Sequence, residues 1–170
     1  VGVEIERKFL VLPGRRAAAV ASGILKDVVE IEQGYLRGIG PETTVRVRVC
    51  RRPMSRPLAF LTIKGPTTGI TRVEHEVGIK YPEATRLLKD CGNLVCKTRH
   101  TVDHSGVLWE IDTFEEPFSP LVVAEVELES EAQELVLPDW VGVEVSDDTR
   151  YFNSQLAVSQ EYPEPLEPSS

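Results

Sequence analysis

The chain has 170 residues, a hydrophobic share of 41% and a formal net charge of -8 at pH 7. That size suits one domain with a full core, and the acidic balance argues against a broad basic field for nucleic acid. A local basic pocket stays compatible, because net charge says nothing of distribution. No apolar run approaches a membrane-spanning helix, and the start carries no signal-peptide pattern. The chain opens at Val1 rather than Met, which leaves room for a targeting segment upstream.

Val3–Val11 (V-E-I-E-R-K-F-L-V) reads as a strand with Glu4, Glu6 and Lys8 on one face and Ile5, Arg7 and Phe9 on the other. Pro13-Gly14 turns the chain, and the Ala-rich Arg15–Ser22 is a short helix stopped by Gly23. Val28–Arg37 is a second strand, with Gly34 a candidate bulge that leaves the face of Tyr35 open. After a turn at Gly38–Glu42, Thr43–Arg51 alternates strictly, with Val45, Val47 and Val49 opposite Arg46 and Arg48. The basic loop Arg52–Pro57 leads into a returning strand, Leu58–Gly65, with Thr62 and Lys64 in phase.

A turn at Gly65–Gly69 precedes the strand Thr71–Ile79, where Arg72, Glu74 and Glu76 oppose Val73, His75 and Val77. Tyr81–Gly92 is a helix, with Pro82 in its first turn and Gly92 as its stop. Leu94–Asp103 puts Lys97 and Arg99 in phase; Val107–Phe114 does the same for Glu110 and Asp112, and Leu121–Ser130 for Glu125, Glu127 and Glu129. Ser130–Leu137 and Thr149–Val158 read as short helices, the second capped by Asp147-Asp148. Residues 1–158 then form one domain, and 159–170, acidic and Pro-rich, a disordered tail.

Cys50, Cys91 and Cys96 make no paired framework, which points to a reducing compartment such as the cytoplasm. Their spacing, and that of His75, His100 and His104, does not suit zinc.

Eight strand-like segments argue for an α+β fold, mostly antiparallel β, with a few flanking helices. Charges on these strands segregate by sign. Acids dominate Val3–Val11, Thr71–Ile79, Val107–Phe114 and Leu121–Ser130; bases dominate Thr43–Arg51, Leu58–Gly65 and Leu94–Asp103. An open sheet or sandwich with a wet charged face explains the alternation. It explains the segregation less well, since a solvated face usually mixes both signs. The other arrangement is a closed barrel with a charged lumen and an apolar exterior covered by helices or a partner subunit. Charges in such a lumen call for a highly charged ligand. Clustered Arg and Lys suit an oxyanion with several phosphates, and clustered carboxylates suit a hard divalent cation, Mg²⁺ or Mn²⁺. An outer-membrane barrel is disfavoured by the weak aromatic girdle and by Arg7 and His75 on the outer face.

E-I-E-R-K at Glu4–Lys8 resembles the signature of the CYTH, or triphosphate tunnel metalloenzyme, superfamily. The resemblance runs in order through Gln33–Leu36, Val45–Arg48, Thr62–Gly65, Val73–Val77, Lys97–Arg99, Trp109–Asp112, Ala124–Glu127 and Asp147–Asn153. It is greatest to the single-domain branch that includes inorganic triphosphatases. It implies an eight-stranded closed tunnel. Glu4, Glu6, Glu125 and Glu127 resemble metal ligands, with Glu74, Glu76 and Asp112 as further acidic lining. Lys8, Arg46, Arg48, Lys64, Lys97 and Arg99 resemble triphosphate-binding groups, Arg150 a closing group on the C-terminal helix, and Tyr35 a leaving-group partner. Glu4, Glu6, Lys8, Lys64 and Tyr35 form the implied catalytic set. The match departs at Thr149 and Phe152, near which relatives often carry a lysine, and at His100, where an aromatic is common; Glu129 reads as surface.

The expected function is metal-dependent hydrolysis of inorganic triphosphate or a related compound. Adenylyl cyclase or thiamine triphosphatase chemistry, or binding of polyphosphate without turnover, are the alternatives. The expected partner is a small triphosphate compound, with neither nucleic acid nor membrane, and a homodimer is compatible.

Overall fold

The computed structural model describes residues 2–37, 43–68 and 70–164, with the side chains of residues 2–4, 67–68 and 71–72 outside that description. The expected turn at Gly38–Glu42, Gly69 of the next turn, and residues 165–170 of the tail lie outside the described residues.

Among the described residues nine strands are present: β1 Gly2–Val11, β2 Ile24–Leu36, β3 Thr44–Arg51, β4 Leu58–Thr68, β5 Thr71–Ile79, β6 Val95–His104, β7 Val107–Phe114, β8 Val122–Glu127 and β9 Val141–Glu144. The helices are α1 Arg16–Ala21, α2 Tyr81–Asp90 and α3 Asn153–Ser159, and a 3-10 turn covers Thr149–Tyr151. Every pairing is antiparallel. The order runs β5-β4-β3-β2-β6-β7-β8-β1, and β1 then pairs with β5. One long strand makes this circuit possible. Residues 2–5 of β1 pair with β5, and residues 6–10 pair with β8. β9, a short strand that the sequence pattern did not suggest, pairs with the far end of β1 through Phe9–Glu144 and Val11–Val141.

Strict alternation divides the side chains between outside and inside. Val47 and Val49 point outward and pack with Ala59, Ala84, Leu88 and Cys91 beneath α2. Phe9, Trp109, Ile111, Ala124 and Val126 pack with Ala19 of α1 and with Leu128 and Trp140. Trp109 and Trp140 meet edge to face, with ring centroids 5.2 Å apart. The apolar exterior of the barrel is therefore covered in large part by the chain's own helices and by the segment 128–140, while Ile63 of β4 and Val73 and Val77 of β5 stay exposed. A third cluster joins Val95, Phe114 and Val123 of the strands to Tyr151, Leu156 and Ala157. The C-terminal helix thereby docks on the barrel.

Three local expectations are corrected. Gly34 is no bulge: β2 keeps continuous register with β3 from Glu30 to Leu36. A Cβ at Gly34 would stand 2.5 Å from Cys91 Cβ and 2.8 Å from Leu94 Cδ2, so the glycine is there to let the end of α2 approach. The register shift lies instead between Leu25 and Asp27. Ser130–Leu137 forms a turn and irregular chain, not a helix. Leu128 and Trp140 are anchored in the core and Leu135 packs against it, whereas Val136 and Leu137 are exposed, so the segment offers a single apolar anchor and not the stripe a helix would bury. The last helix begins at Asn153 rather than Thr149, because Phe152 is extended (φ -71°, ψ 131°) and splits off the 3-10 turn, which Asp148 caps through the Arg150 N–H.

At the C-terminal end, Pro163 is buried, and its carbonyl accepts a bond from the Tyr151 hydroxyl at 3.3 Å. Among the described residues no helix is long and apolar enough to cross a membrane. All three cysteines are free.

Candidate active site

The inward face of the strands encloses a cavity of about 820 Å³, lined by Glu6 and Lys8 of β1, Tyr35 of β2, Arg46 and Arg48 of β3, and Lys64 of β4. Glu74 of β5, Lys97 and Arg99 of β6, Glu110 of β7, and Glu125 and Glu127 of β8 complete the charged wall. Residues far apart in sequence are brought together because each lies at the same parity on its own strand. Lys64 and Glu125 both face this interior, as the barrel arrangement requires.

The acidic side of the wall is tightly interlocked. Glu6 lies opposite Glu127 in register, Lys8 opposite Glu125, and Glu125 opposite Glu110. Lys8 donates to Glu6 and, at 2.7 Å, to Glu125. Arg99 touches three carboxylates: Asp112 at 2.7 Å, Glu125 at 2.6 Å, and Glu110. Lys97, only 2% exposed, donates to fully buried Asp112 and to Asn153 Oδ1 at 3.2 Å.

Protonation follows from these contacts. Burial alone would raise the Glu125 carboxyl, but Lys8, Arg99 and Lys97 hold it well below the usual carboxylate range. Burial lowers Lys97 despite Asp112. Burial raises Glu110, with Glu125, Asp112 and Glu6 adding like-charge repulsion against the pull of Arg99.

The opposite side is looser. Arg46 and Arg48 share the Glu76 carboxylate at 3.3 and 3.0 Å, Lys64 meets Glu74 at 2.6 Å, and Arg46 comes within 3.8 Å of Glu74. Both arginine Nε atoms are buried and lack an acceptor among the described residues. Like-charge repulsion from Arg46 adds to burial in lowering Arg48. An anion with several oxygens would supply the missing acceptors.

Between the two sides stands Tyr35. With Gly34 regular, Tyr35 shares the inward face with Gln33, whose Nε2 donates to the phenol oxygen at 3.0 Å. Burial pushes the phenol up to about 12, against the opposing pull of Arg46 and Lys8.

The candidates do not all converge. The side chain of Glu4 lies outside the described residues. Glu76 and Asp112 sit behind the basic groups as their partners. Arg150 is not brought to the cavity: it lies in the 3-10 turn, clamps Asp148 at 2.6 Å and donates to the Glu164 carbonyl at 2.8 Å. Its neighbours Phe152, Asn153 and Ser154 line the cavity instead. Glu110 was the missed acid, and its phase with Asp112 was the available signal. Buried Gln33 and Thr62 were also missed as members of the polar interior.

Glu6, Glu125 and Glu127, with Glu110 beside them, offer oxygen donors alone, which fits a hard divalent cation and not zinc. Among the described residues no three Asp, Glu, His or Cys side chains already form a metal-holding group. Lys8 and Arg99 are threaded between the carboxylates.

A family model described as CYTH domain matches residues 2–157. The chain is 39% identical over 158 residues to a protein of Acetivibrio thermocellus named inorganic triphosphatase, covering 92% of this chain and 94% of that one. It is 37% identical over 160 residues to a protein of Nitrosomonas europaea with the same name, covering 92% and 97%. Among solved structures, that of an inorganic triphosphatase aligns with a TM-score of 0.62 at 34% identity, over 94% of this chain and 97% of that one.

Proposed function

The chain belongs to the CYTH domain family, and we propose that it hydrolyses inorganic triphosphate to diphosphate and phosphate with a divalent cation, Mg²⁺ or Mn²⁺. The observation that carries this reading is the meeting of Lys8, Arg46, Arg48, Lys64, Lys97 and Arg99 with Glu6, Glu125 and Glu127 in one interior cavity. Phosphoryl transfer needs mainly positioning and charge neutralisation, and this wall supplies both signs of charge.

Arg46, Arg48 and Lys64 bind the phosphate chain, the arginines through forked donors that match phosphate oxygens. Lys8, Lys97 and Arg99 face it from the other side and offset charge growing on the leaving diphosphate. Glu6, Glu125 and Glu127, with Glu4 from the signature, hold the cation. When bound, the cation neutralises phosphate charge and activates water. Glu6 or Glu4 orients the attacking water and accepts its proton. Tyr35, kept neutral by burial, donates a hydrogen bond towards the leaving group.

The test is incubation of the protein with tripolyphosphate and either Mg²⁺ or Mn²⁺, with every product quantified. Phosphate and diphosphate appear in equal amounts, excess chelator stops their release, and Glu6→Gln lowers kcat by about 100-fold, near 2.7 kcal/mol of barrier. Cyclic AMP and diphosphate from ATP, turnover confined to thiamine triphosphate, or tight binding of tripolyphosphate without products would overturn the reading.

A further inference from the structure

Thr62 is fully buried on β4, yet it faces the charged interior. Its register partners are Arg46 on β3 and Glu76 on β5, so three adjacent strands place these residues in one row. The Thr62 hydroxyl makes two bonds at once. It donates to Glu76 Oε2 at 2.6 Å and accepts from Arg46 Nη2 at 3.1 Å. The same carboxylate accepts from Arg46 Nη2 at 3.3 Å and from Arg48 Nη2 at 3.0 Å.

Arg46 and Arg48 are two apart on one strand and repel each other. Both spend terminal nitrogens on Glu76 and leave Nε without an acceptor among the described residues. Glu76 does not line the cavity, whereas both arginines do. The carboxylate is thus behind the arginines, with its charge already committed to two guanidinium groups and a hydroxyl.

We propose that Thr62 and Glu76 are positioning residues. Thr62 latches the Glu76 carboxylate, and the latched carboxylate holds Arg46 and Arg48 side by side for the phosphate chain. This assigns Glu76 to the anion-binding arginines and not to the cation. A free Glu76 could swing towards bulk water, and the arginines would then lose both their common anchor and their spacing. The low position of the Glu76 carboxyl, set against burial by Thr62 and the arginines, agrees with a fixed anion.

The proposal rests on the triphosphate reading, and its test keeps the two apart. Wild type, Thr62→Val, Thr62→Ser and Glu76→Gln are compared by turnover of tripolyphosphate across a range of Mg²⁺ concentration. Calorimetric binding of tripolyphosphate in excess chelator is measured alongside. Thr62→Val keeps the shape and removes the hydroxyl. It raises KM, and the Kd measured without metal, by about tenfold, or 1.4 kcal/mol, while kcat stays within about twofold. Thr62→Ser restores both constants, and Glu76→Gln leaves the half-saturating Mg²⁺ concentration unchanged.

A Thr62→Val protein with wild-type KM and Kd overturns the latch. So does a Glu76→Gln protein whose Mg²⁺ requirement shifts by about fivefold or more, since that is the behaviour of a metal ligand. Wild type that binds tripolyphosphate without hydrolysing it overturns the functional reading alone, and the Kd values still decide the latch.

Discussion

The two sides of the cavity carry the same number of cations but different numbers of carboxylates. On the side built by β1, β6, β7 and β8, Lys8, Lys97 and Arg99 stand among Glu6, Glu110, Asp112, Glu125 and Glu127. On the side built by β3, β4 and β5, Arg46, Arg48 and Lys64 stand with Glu74 and Glu76 alone among the described side chains. The first side is short of cations and the second short of anions. The first also has the drier centre: Asp112 is fully buried and the Glu125 side chain 6% exposed, against 29% for Glu76, while Glu110 at its edge is 40% exposed. A cavity divided in this way suits a cation on one side and the phosphate chain on the other, as proposed above.

The comparison is broken most severely by removing an acid from the dry side. Asp112 accepts from both Lys97 and Arg99, so Asp112→Ala leaves the buried Lys97 with no carboxylate partner among the described residues but Asn153 beside it, and takes one of three carboxylates from Arg99. Breaking a buried pair costs about 3–5 kcal/mol, and denaturant titration of the variant should show a loss of that order. The matching change on the other side, Glu76→Ala, removes a carboxylate that is itself 29% exposed, so water can take its place beside the arginines, and should cost less, about 1.5–3 kcal/mol. Equal losses would mean that the two sides do not differ in solvation.

Activity sharpens the division at a smaller scale. Glu125→Gln removes a carboxylate proposed to hold the cation. It should raise the half-saturating metal concentration by at least about tenfold. Arg46→Gln should leave the metal requirement alone and raise KM for tripolyphosphate by about 10- to 30-fold, the loss of one charge-assisted contact. Steady-state kinetics with metal and substrate varied independently distinguishes the two. A common response to both variants would erase the polarity of the cavity.

Much of this polarity is visible in the sequence, because parity along a strand is a local property. Arg46 and Arg48 against Val45, Val47 and Val49, or Glu125 and Glu127 against Val126, need only the two-residue period. What parity cannot give is distance across the cavity. The capture of Asp112 by Lys97 and Arg99 depends on the β6–β7 register, and the capture of Arg150 by Asp148 on a local 3-10 turn. Segment 130–137 has helix-forming residues but buries only Leu135, so tertiary contacts at Leu128, Leu135 and Trp140 decided its shape. β9 has four residues and pairs with only one end of β1, too little for an alternating pattern to announce. Gly34 misled as a bulge because its cause is a contact with Cys91, a residue 57 positions on.

Tyr35 offers the finest probe, because it feels both sides at once. Burial is the main reason that its phenol is pushed up to about 12; Arg46, Lys8 and Arg48 pull it down, and Glu125 pushes it up. An exposed tyrosine ionises near 10. Absorbance at the phenolate band, taken as wild type minus Tyr35→Phe, should therefore show one tyrosine with its midpoint about 2 units late. The stability consequence has a definite sign: between about pH 10 and pH 12 the unfolded chain gives up the Tyr35 proton first. Wild type then loses stability relative to Tyr35→Phe as pH rises through that window, and the two have a constant difference below it. Because Glu125 raises the phenol, Glu125→Gln should move the midpoint down; because Arg46 lowers it, Arg46→Gln should move it up. A shift from each variant places Tyr35 between the two sides, and a shift from only one of them would place it against that side alone.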